Sequence, residues 1–467
     1  MNQKSVQNFD TMPVFRLILS NMIPAVVSML MSMFYNLADT FFIGQTQNAY
    51  MVAAVSLATP AFAVFMSFGL IFGVGGTSYI SRLLGMGKTE TVKKVSSFAF
   101  WTGTAIGTIG MLVMWIFAGQ IAMLLGASDA TLTFVTQYLS TVAIGIPFLV
   151  ISASFSNILR AEGKASKAMN GMIIGNLANI ILDPIFILAL GMGVQGAAIA
   201  TVIGNVLAVL YYLYELSPKR TILSIKLSDY SAGEGILKNV LSVGIPASLN
   251  SFMMTISIIV TNHYMLNFGD MAVAAMGVAM KVAMMMAFVL IGVATGVQPI
   301  FGYFYGARNR TKFLQTLKYT LIIAVCVSIL MTIVVYVGSE FLVRSFLTDD
   351  TAIEYGVSFT NILVYSGPVL GILFVFNNAI QGMGKGLQAL IISISRQGLI
   401  YIPLLSLSYR IFHDPAMLTA AQPVADYTAA ALAFLLFLYV FRKYMGKESL
   451  PVEESKLAGR KAKGNEL

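Results

Sequence analysis

Twelve long apolar stretches follow one another through this chain, with only short polar connections between them. A helix needs about 20 apolar residues to cross the hydrocarbon of a bilayer, where every backbone polar group must be satisfied inside the segment. The stretches run at about 13–42, 50–82, 94–125, 131–159, 167–190 and 195–216, then at 235–266, 271–304, 314–346, 352–380, 386–411 and 420–444. They are continuously apolar and do not alternate, which excludes a β-barrel. With 57% hydrophobic and only 10% charged residues, the chain lacks the polar surface of a soluble protein of its size. The fold class expected is therefore an all-α polytopic membrane protein with twelve transmembrane helices.

The halves repeat each other. Pro24 matches Pro246, Gly75 matches Gly296, Gly85 matches Gly306 and Pro147 matches Pro368, while Asn157 with Gly163-Lys164 matches Asn378 with Gly384-Lys385. The shift stays constant (246 − 24 = 222; 296 − 75 = 221; 368 − 147 = 221). Chance identities scatter in their offsets, so this is an internal duplication of two six-helix lobes. Six spans is an even number, so both copies start from the same side, and the repeat is parallel, about an axis along the membrane normal. The expected divisions are an N-terminal six-helix lobe (1–216), a cytoplasmic linker (217–234), a C-terminal six-helix lobe (235–446) and a polar cytoplasmic tail (447–467). Pro24, Pro60, Pro147, Pro184, Pro246, Pro299, Pro368 and Pro403 fall within spans and predict kinks. Gly171 and Gly175 in the fifth span predict close helix approach.

Net charge is +9, from 29 basic and 20 acidic residues. In a soluble chain that balance suggests nucleic acid. Here Arg82, Lys88, Lys93, Lys94, Arg160, Lys164, Lys167, Lys219, Arg220, Arg308, Arg310, Lys312, Lys385, Arg442, Lys443 and Lys447 gather on one side, whereas only Lys281, Arg344 and Arg410 fall mid-span or opposite. The excess reads as topology, with both termini cytoplasmic, the lipid bilayer as the partner and no nucleic acid. The single cysteine, Cys326, allows no disulfide within the chain, and two histidines exclude a His-rich metal site. The polar start up to about Thr11 runs straight into a full-length span, which reads as an uncleaved anchor.

The most expensive residue in this setting is Asp39, in Ser32-Met33-Phe34-Tyr35-Asn36-Leu37-Ala38-Asp39 of the first span. A carboxylate in hydrocarbon costs about 2.5–3.5 kcal/mol even on lenient scales and persists where it faces a cavity, pairs or binds a cation. Helical spacing sets Asn36, Tyr35, Ser32 and Ser28 on its face. The fifth span holds a second acid, with Asn176, Asn179 and Asp183 on one face, and the sixth carries Thr201 and Asn205. Counted along their spans, Asp39, Asp183 and Thr201 fall at similar depth in the outer half. Two carboxylates with amide and hydroxyl oxygens form a hard-oxygen set suited to Na⁺ or a shared proton. The plain alternative is that these residues sit on different faces and serve helix packing. In the second repeat Asp39 aligns with about Val260 or Thr261 and Asp183 with Leu404, so ion chemistry reads as confined to the first half. The second half offers Lys281, Arg396 and Asp426. Lys281 either faces a central cavity or snorkels to pair structurally. Methionine is abundant, at 28 residues, among them Met33 and Met284; its flexible side chain suits varied ligands as well as ordinary packing. Tyr35, Asn36, Met33, Asn176, Asn205, Lys281 and Met284 are the substrate-cleft candidates.

Together, the twelve spans, the duplicated lobe, the Asp39 phrase and the Gly163-Lys164 and Gly384-Lys385 turns make the chain resemble the multidrug and toxic compound extrusion (MATE) family, in a DinF-like or MepA-like branch. Asp39, Asn179, Asp183 and Thr201 match the branch's cation site, and no acid lies mid-span in spans seven, eight or ten, where the NorM-like branch is known for one. The resemblance implies a cell (inner) membrane antiporter of a prokaryote, acting as a monomer, with no catalytic residues and no cofactor beyond the coupling ion, Na⁺ or H⁺. It would export small-molecule drugs and organic cations through lobes forming a V that opens alternately to each side. The rival is a lipid-linked oligosaccharide flippase of the same superfamily, which calls for a more strongly cationic cleft than Lys281 supplies. An intramembrane aspartyl protease built on Asp39 and Asp183 lacks its Gly-x-Gly-Asp pattern, and a channel fits buried acids in a duplicated lobe less well.

Overall fold

The computed structural model describes residues 4–446; the polar tail expected at 447–467 lies outside the described residues. Every regular element among the described residues is helical. Among the described residues, eleven helices are long and apolar enough to span a membrane, and a twelfth span is the pair Asp129–Ala143 and Ile146–Ala161, bent by 57°. In chain order the spans are Val14–Gly44, Tyr50–Gly85, Thr89–Ile116, that bent pair, Ala165–Ala189, Gly193–Glu215, Ile236–Phe268, Asp270–Gly306, Arg310–Arg344, Asp350–Gly382, Gly386–Phe412 and Pro415–Met445. Two differences from the expected limits have local causes. The polar start folds as a separate helix, Lys4–Thr11, because Phe9 is fully buried and anchors it. The third stretch stops at Ile116, and its last residues form a short helix, Ala118–Leu124.

The span prolines take three local settings. Pro24, Pro60, Pro246 and Pro299 lie inside continuous helices. Pro147 and Pro368 sit in the first turn after a break, where a missing N–H costs nothing. Pro184 opens a π-helical turn, Pro184–Ala189, directly after Asp183; span eleven carries a π-turn of its own, Ser395–Leu399, at a different position of the repeat. Wider turns of this kind relax the hydrogen-bond register that a proline or a crowded side chain disrupts.

Contacts divide the chain into two compact units. The first comprises the residues up to Asp10, Ser20–Ile80 and Thr89–Leu249; the second comprises Thr11–Leu19, Ser81–Lys88 and the residues from Asn250 onward. Within the first, spans five and six meet backbone to backbone: a Cβ on Gly204 would stand 2.6 Å from the Gly175 carbonyl oxygen, and one on Gly175 2.8 Å from that of Gly204. The segment after span six is an ordered strap on the third span. Ser96 Oγ donates to the Ser224 carbonyl (2.9 Å), Ser97 Oγ to that of Lys226 (2.7 Å) and Trp101 Nε1 to that of Ile225 (3.0 Å). Its start is held by the buried carboxylate of Glu162, which accepts from Thr221 Oγ1 and from the Ile222 N–H at 3.0 Å and pairs with Lys164 at 3.0 Å. Burial pushes the Glu162 carboxyl above the usual carboxylate range, against the pull of those partners.

Within the second unit, a Cβ on Gly85 would stand 2.1 Å from the Tyr303 carbonyl oxygen, and one on Gly306 2.1 Å from that of Arg82. This reciprocity between repeat-related glycines is what a duplicated helix pair produces. The core gathers fully buried Met265, Met276, Phe359, Tyr401 and Leu418.

Candidate functional site

The acids of the first unit are brought to one place by three spans. Asp183 ends the α-helical part of span five, where Pro184 breaks the register, and it is fully buried. One turn earlier lies Asn179, and facing it from span six is Thr201; both are buried. The amide orientation that satisfies every partner has Asn179 Nδ2 donating to Asp183 Oδ2 at 3.0 Å. Its Oδ1 then accepts from Thr201 Oγ1 at 3.2 Å and from the Thr201 N–H at 3.0 Å. From span one, the Tyr35 hydroxyl hydrogen-bonds with Thr201, and Tyr35 lies within electrostatic reach of both Asp39 and Asp183. Asp39 in turn lies within electrostatic reach of Asp183. Asn179, Asp183 and Thr201 therefore form one hydrogen-bonded group, with Asp39 within electrostatic reach of Asp183.

The remaining cleft candidates distribute unevenly. Asn176 Nδ2 reaches Ser32 Oγ on span one at 3.4 Å and so ties spans one and five about two helical turns from the acids. Asn36 and Asn205 turn back on their own helices, donating to the Ser32 carbonyl (2.7 Å) and the Thr201 carbonyl (3.0 Å). Ser28 is buried and donates to the Pro24 carbonyl at 2.8 Å. Met33 is buried, with 7% of its surface exposed. Lys281 and Met284 belong to the second unit, where Lys281 is exposed and has no ion-pair partner among the described residues.

Tyr138, on the bent fourth span, was not legible beforehand. It is buried and lies within electrostatic reach of Asp39, Tyr35 and Asp183. Nothing in its own segment marks it, because its proximity comes from the packing of span four and not from spacing along one helix.

Asp39 Oδ1 and Asp183 Oδ1 are both buried without a hydrogen-bond partner. No salt bridge among the described residues reaches either acid. Two carboxylates in a low dielectric repel each other and favour a proton or a metal cation between them. No group of three or more His, Cys, Asp and Glu side chains gathers among the described residues. A cation here would therefore draw on neutral amide and hydroxyl oxygens beside the two acids, which is the ligand chemistry of a hard monovalent ion more than of a transition metal.

Comparison with known proteins agrees with this architecture. The MatE family model matches the chain twice, at residues 24–185 and at 246–407. The two matches are displaced by 222 residues (246 − 24), the shift of the internal repeat. The multidrug export protein MepA of Staphylococcus aureus (strain N315) is 30% identical over 457 residues, covering 98% of this chain and 99% of that protein. MepA of Staphylococcus haemolyticus (strain JCSC1435) is 31% identical over 458 residues, with the same coverage. Among solved structures, the outward-facing conformation of a multidrug resistance MATE family transporter superposes with a TM-score of 0.90 at 26% identity, over 95% of this chain and 99% of that one.

Proposed function

The chain belongs to the MatE family of multidrug efflux transporters, and on that premise we propose that it is a secondary-active antiporter exporting lipophilic and cationic organic compounds in exchange for Na⁺ or H⁺. The observation that carries the reading is the pair of buried, unpartnered oxygens on Asp39 and Asp183, which no salt bridge among the described residues reaches. A vacant negative pair in hydrocarbon is unstable and is relieved when a cation or proton binds. Coupling follows if the neutralised and charged states favour different conformations and the exported compound favours one of them, since a ligand shifts an equilibrium by its differential affinity for the two states.

Each residue has a task in this scheme. Asp39 and Asp183 supply the charge. Asn179 orients Asp183 by donating to its Oδ2, and Thr201 holds Asn179 in that orientation. Tyr35, hydrogen-bonded to Thr201, links span one to the network. Asn176 and Ser32 keep spans one and five in contact, so a change at the acids is transmitted to both. The transporter would lie in a prokaryotic cell membrane with both termini cytoplasmic and work as a monomer, with no resident cofactor.

Reconstitution in liposomes tests the reading. Ethidium movement is followed under an imposed Na⁺ gradient, then under a pH gradient alone, for the native protein, Asp39→Asn and Asp183→Asn. One gradient is expected to drive transport, and both variants are expected to lose it. Variants that respond like the native protein would make the acids structural, and dye that moves under neither gradient would bring the flippase reading forward.

A further inference from the structure

The second unit holds a buried charge pair that the coupling scheme leaves unused. Arg396 lies in the π-turn Ser395–Leu399 of span eleven, and its Nε donates to Asp426 Oδ1 of span twelve at 2.6 Å. Gln422 Nε2, one turn before Asp426, donates to the same oxygen at 3.1 Å. The guanidinium lies over the Phe374 ring, 5.4 Å from its centroid. The two partners are not equivalent. Asp426 keeps 1% of its side-chain surface exposed and Arg396 keeps 15%. The Asp426 contact uses Nε, while the two Nη groups have no partner among the described residues and are not enclosed.

Depth gives that opening meaning. Arg396 is ten residues into Gly386–Phe412 (396 − 386), about 15 Å along a helix rising 1.5 Å per residue, which is close to mid-bilayer. A cation open at that depth faces the bundle interior or a water-filled cavity, because facing lipid would cost several kcal/mol. Three residues beyond Phe374 on span ten, Asn377 is buried with its Oδ1 unpartnered. The repeat shift relates Arg396 to Gly175 (396 − 175 = 221) and Asp426 to Gly204 (426 − 204 = 222). Where the first repeat closes two spans glycine on glycine, the second inserts an arginine and an aspartate.

Resting on the export reading above, we propose that Arg396 is a substrate-recognition residue that receives the carboxylate of amphoteric drugs on its two Nη groups. A pair serving only to hold helices together would bury both partners and satisfy all their donors. Here the acid is sealed and the fork end of the base is left open. The planar guanidinium matches a carboxylate with two parallel hydrogen bonds, which an ammonium cannot do. Asp426 cancels the arginine's charge, so a free anion gains little. The site favours a carboxylate carried on a molecule whose other parts are bound independently, which is the chemistry of a zwitterion.

Transport by the reconstituted protein is measured for three probes: a quinolone bearing a carboxylate, its decarboxylated analogue, and ethidium. The variants are Arg396→Lys, which keeps the charge opposite Asp426, and the neutral double replacement Arg396→Gln with Asp426→Asn. The readout is the ratio of quinolone to ethidium efficiency, which a general loss of folded transporter does not move. Arg396→Lys is expected to lower that ratio on the order of tenfold, the worth of one charge-assisted hydrogen bond. The ratio of analogue to ethidium is expected to hold, and the double variant is expected to lose quinolone preference likewise. A ratio unchanged in Arg396→Lys, or an equal fall for acid and analogue, overturns the proposal. If the native protein moves none of the three probes, the export reading fails first and takes this one with it.

Discussion

The two repeats solve the same problem, a carboxylate deep in a membrane helix, in opposite ways. In the second, Asp426 is neutralised within the protein: Arg396 and Gln422 donate to it, and only the arginine's fork end remains open. In the first, Asp39 and Asp183 sit within electrostatic reach of each other with no ion-pair partner among the described residues, and each has a buried oxygen left unpartnered. One duplicated scaffold thus carries a charge that is finished and a charge that is unfinished. The finished pair has little to gain from an external cation, whereas the unfinished pair gains much. On the proposed reading, loss of symmetry after duplication is what would confine ion coupling to the first repeat.

The largest expected effects come from exchanging these two conditions. Removing either first-repeat acid, by Asp39→Asn or Asp183→Asn, is expected to abolish the response to the driving gradient while leaving the folded protein at least as heat-stable, since a desolvated charge has been removed. In the second repeat the pattern inverts. Asp426→Asn alone leaves Arg396 without its counter-charge, and Arg396→Gln alone strands a sealed carboxylate; each is expected to cost about 3–5 kcal/mol of stability, and the double variant to recover most of it. Thermal unfolding of the detergent-solubilised protein, read beside gradient-driven transport, checks both. Single second-repeat variants that lose transport with no loss of stability would break the contrast.

An intermediate effect is expected where spans five and six touch. Gly204→Ala would place a methyl 2.6 Å from the Gly175 carbonyl oxygen, and backbone on both sides leaves no side chain to yield. Separating the helices would cost about 1–3 kcal/mol. It would also shift Thr201 away from Asn179, since Thr201 stands one turn from Gly204 on the same helix. Melting temperature and ion dependence of transport are therefore expected to fall together. A drop in stability with unchanged ion dependence would show that the glycine contact serves packing alone.

Much of this was readable along the chain, and the reason is periodicity. The constant shift of 221–222 residues exposes the duplication, because it needs only one-dimensional matching. A carboxylate in an apolar run announces itself by its solvation penalty, and i,i+4 spacing sets Asn179 and Asp183 on one face of span five, whereas the facing of Thr201 toward them comes from packing. Gly175 was legible as a contact point, though its partner Gly204 was not. What escaped shares one property: it depends on distant segments meeting. Tyr138 reaches the acids from another span, Arg396 finds Asp426 thirty residues away (426 − 396), and the strap after span six docks on side chains about 128 residues earlier. Helix breaks were half legible. The prolines marked candidate positions, but tertiary packing decided that span four bends before Pro147 while Pro24 and Pro246 lie inside unbroken helices.

The smallest expected effect sharpens the comparison at the turn the repeats share. Gly163-Lys164 and Gly384-Lys385 each follow a helix, and each glycine takes a left-handed φ, 79° and 75°, which any other side chain would strain. The residue before the glycine differs. It is Glu162 in the first repeat and Met383 in the second, both buried. Glu162→Met transplants the second repeat's choice. It would leave the Thr221 hydroxyl and Ile222 N–H without their acceptor, costing about 1–3 kcal/mol for the buried donors. Glu162→Gln keeps an acceptor and isolates the charge. Burial raises this carboxyl above its unfolded value, so its protonated form favours the folded state. That stability is fully present below the unfolded pKa and is lost as pH rises through the folded one. Between pH 4 and 8 the native protein is therefore expected to lose melting temperature relative to Glu162→Gln, by about 1–3 °C for a protein of this size. A gain with rising pH would mean that Lys164 and the strap outweigh burial, and that this carboxylate is as fully neutralised by its surroundings as Asp426 is by Arg396.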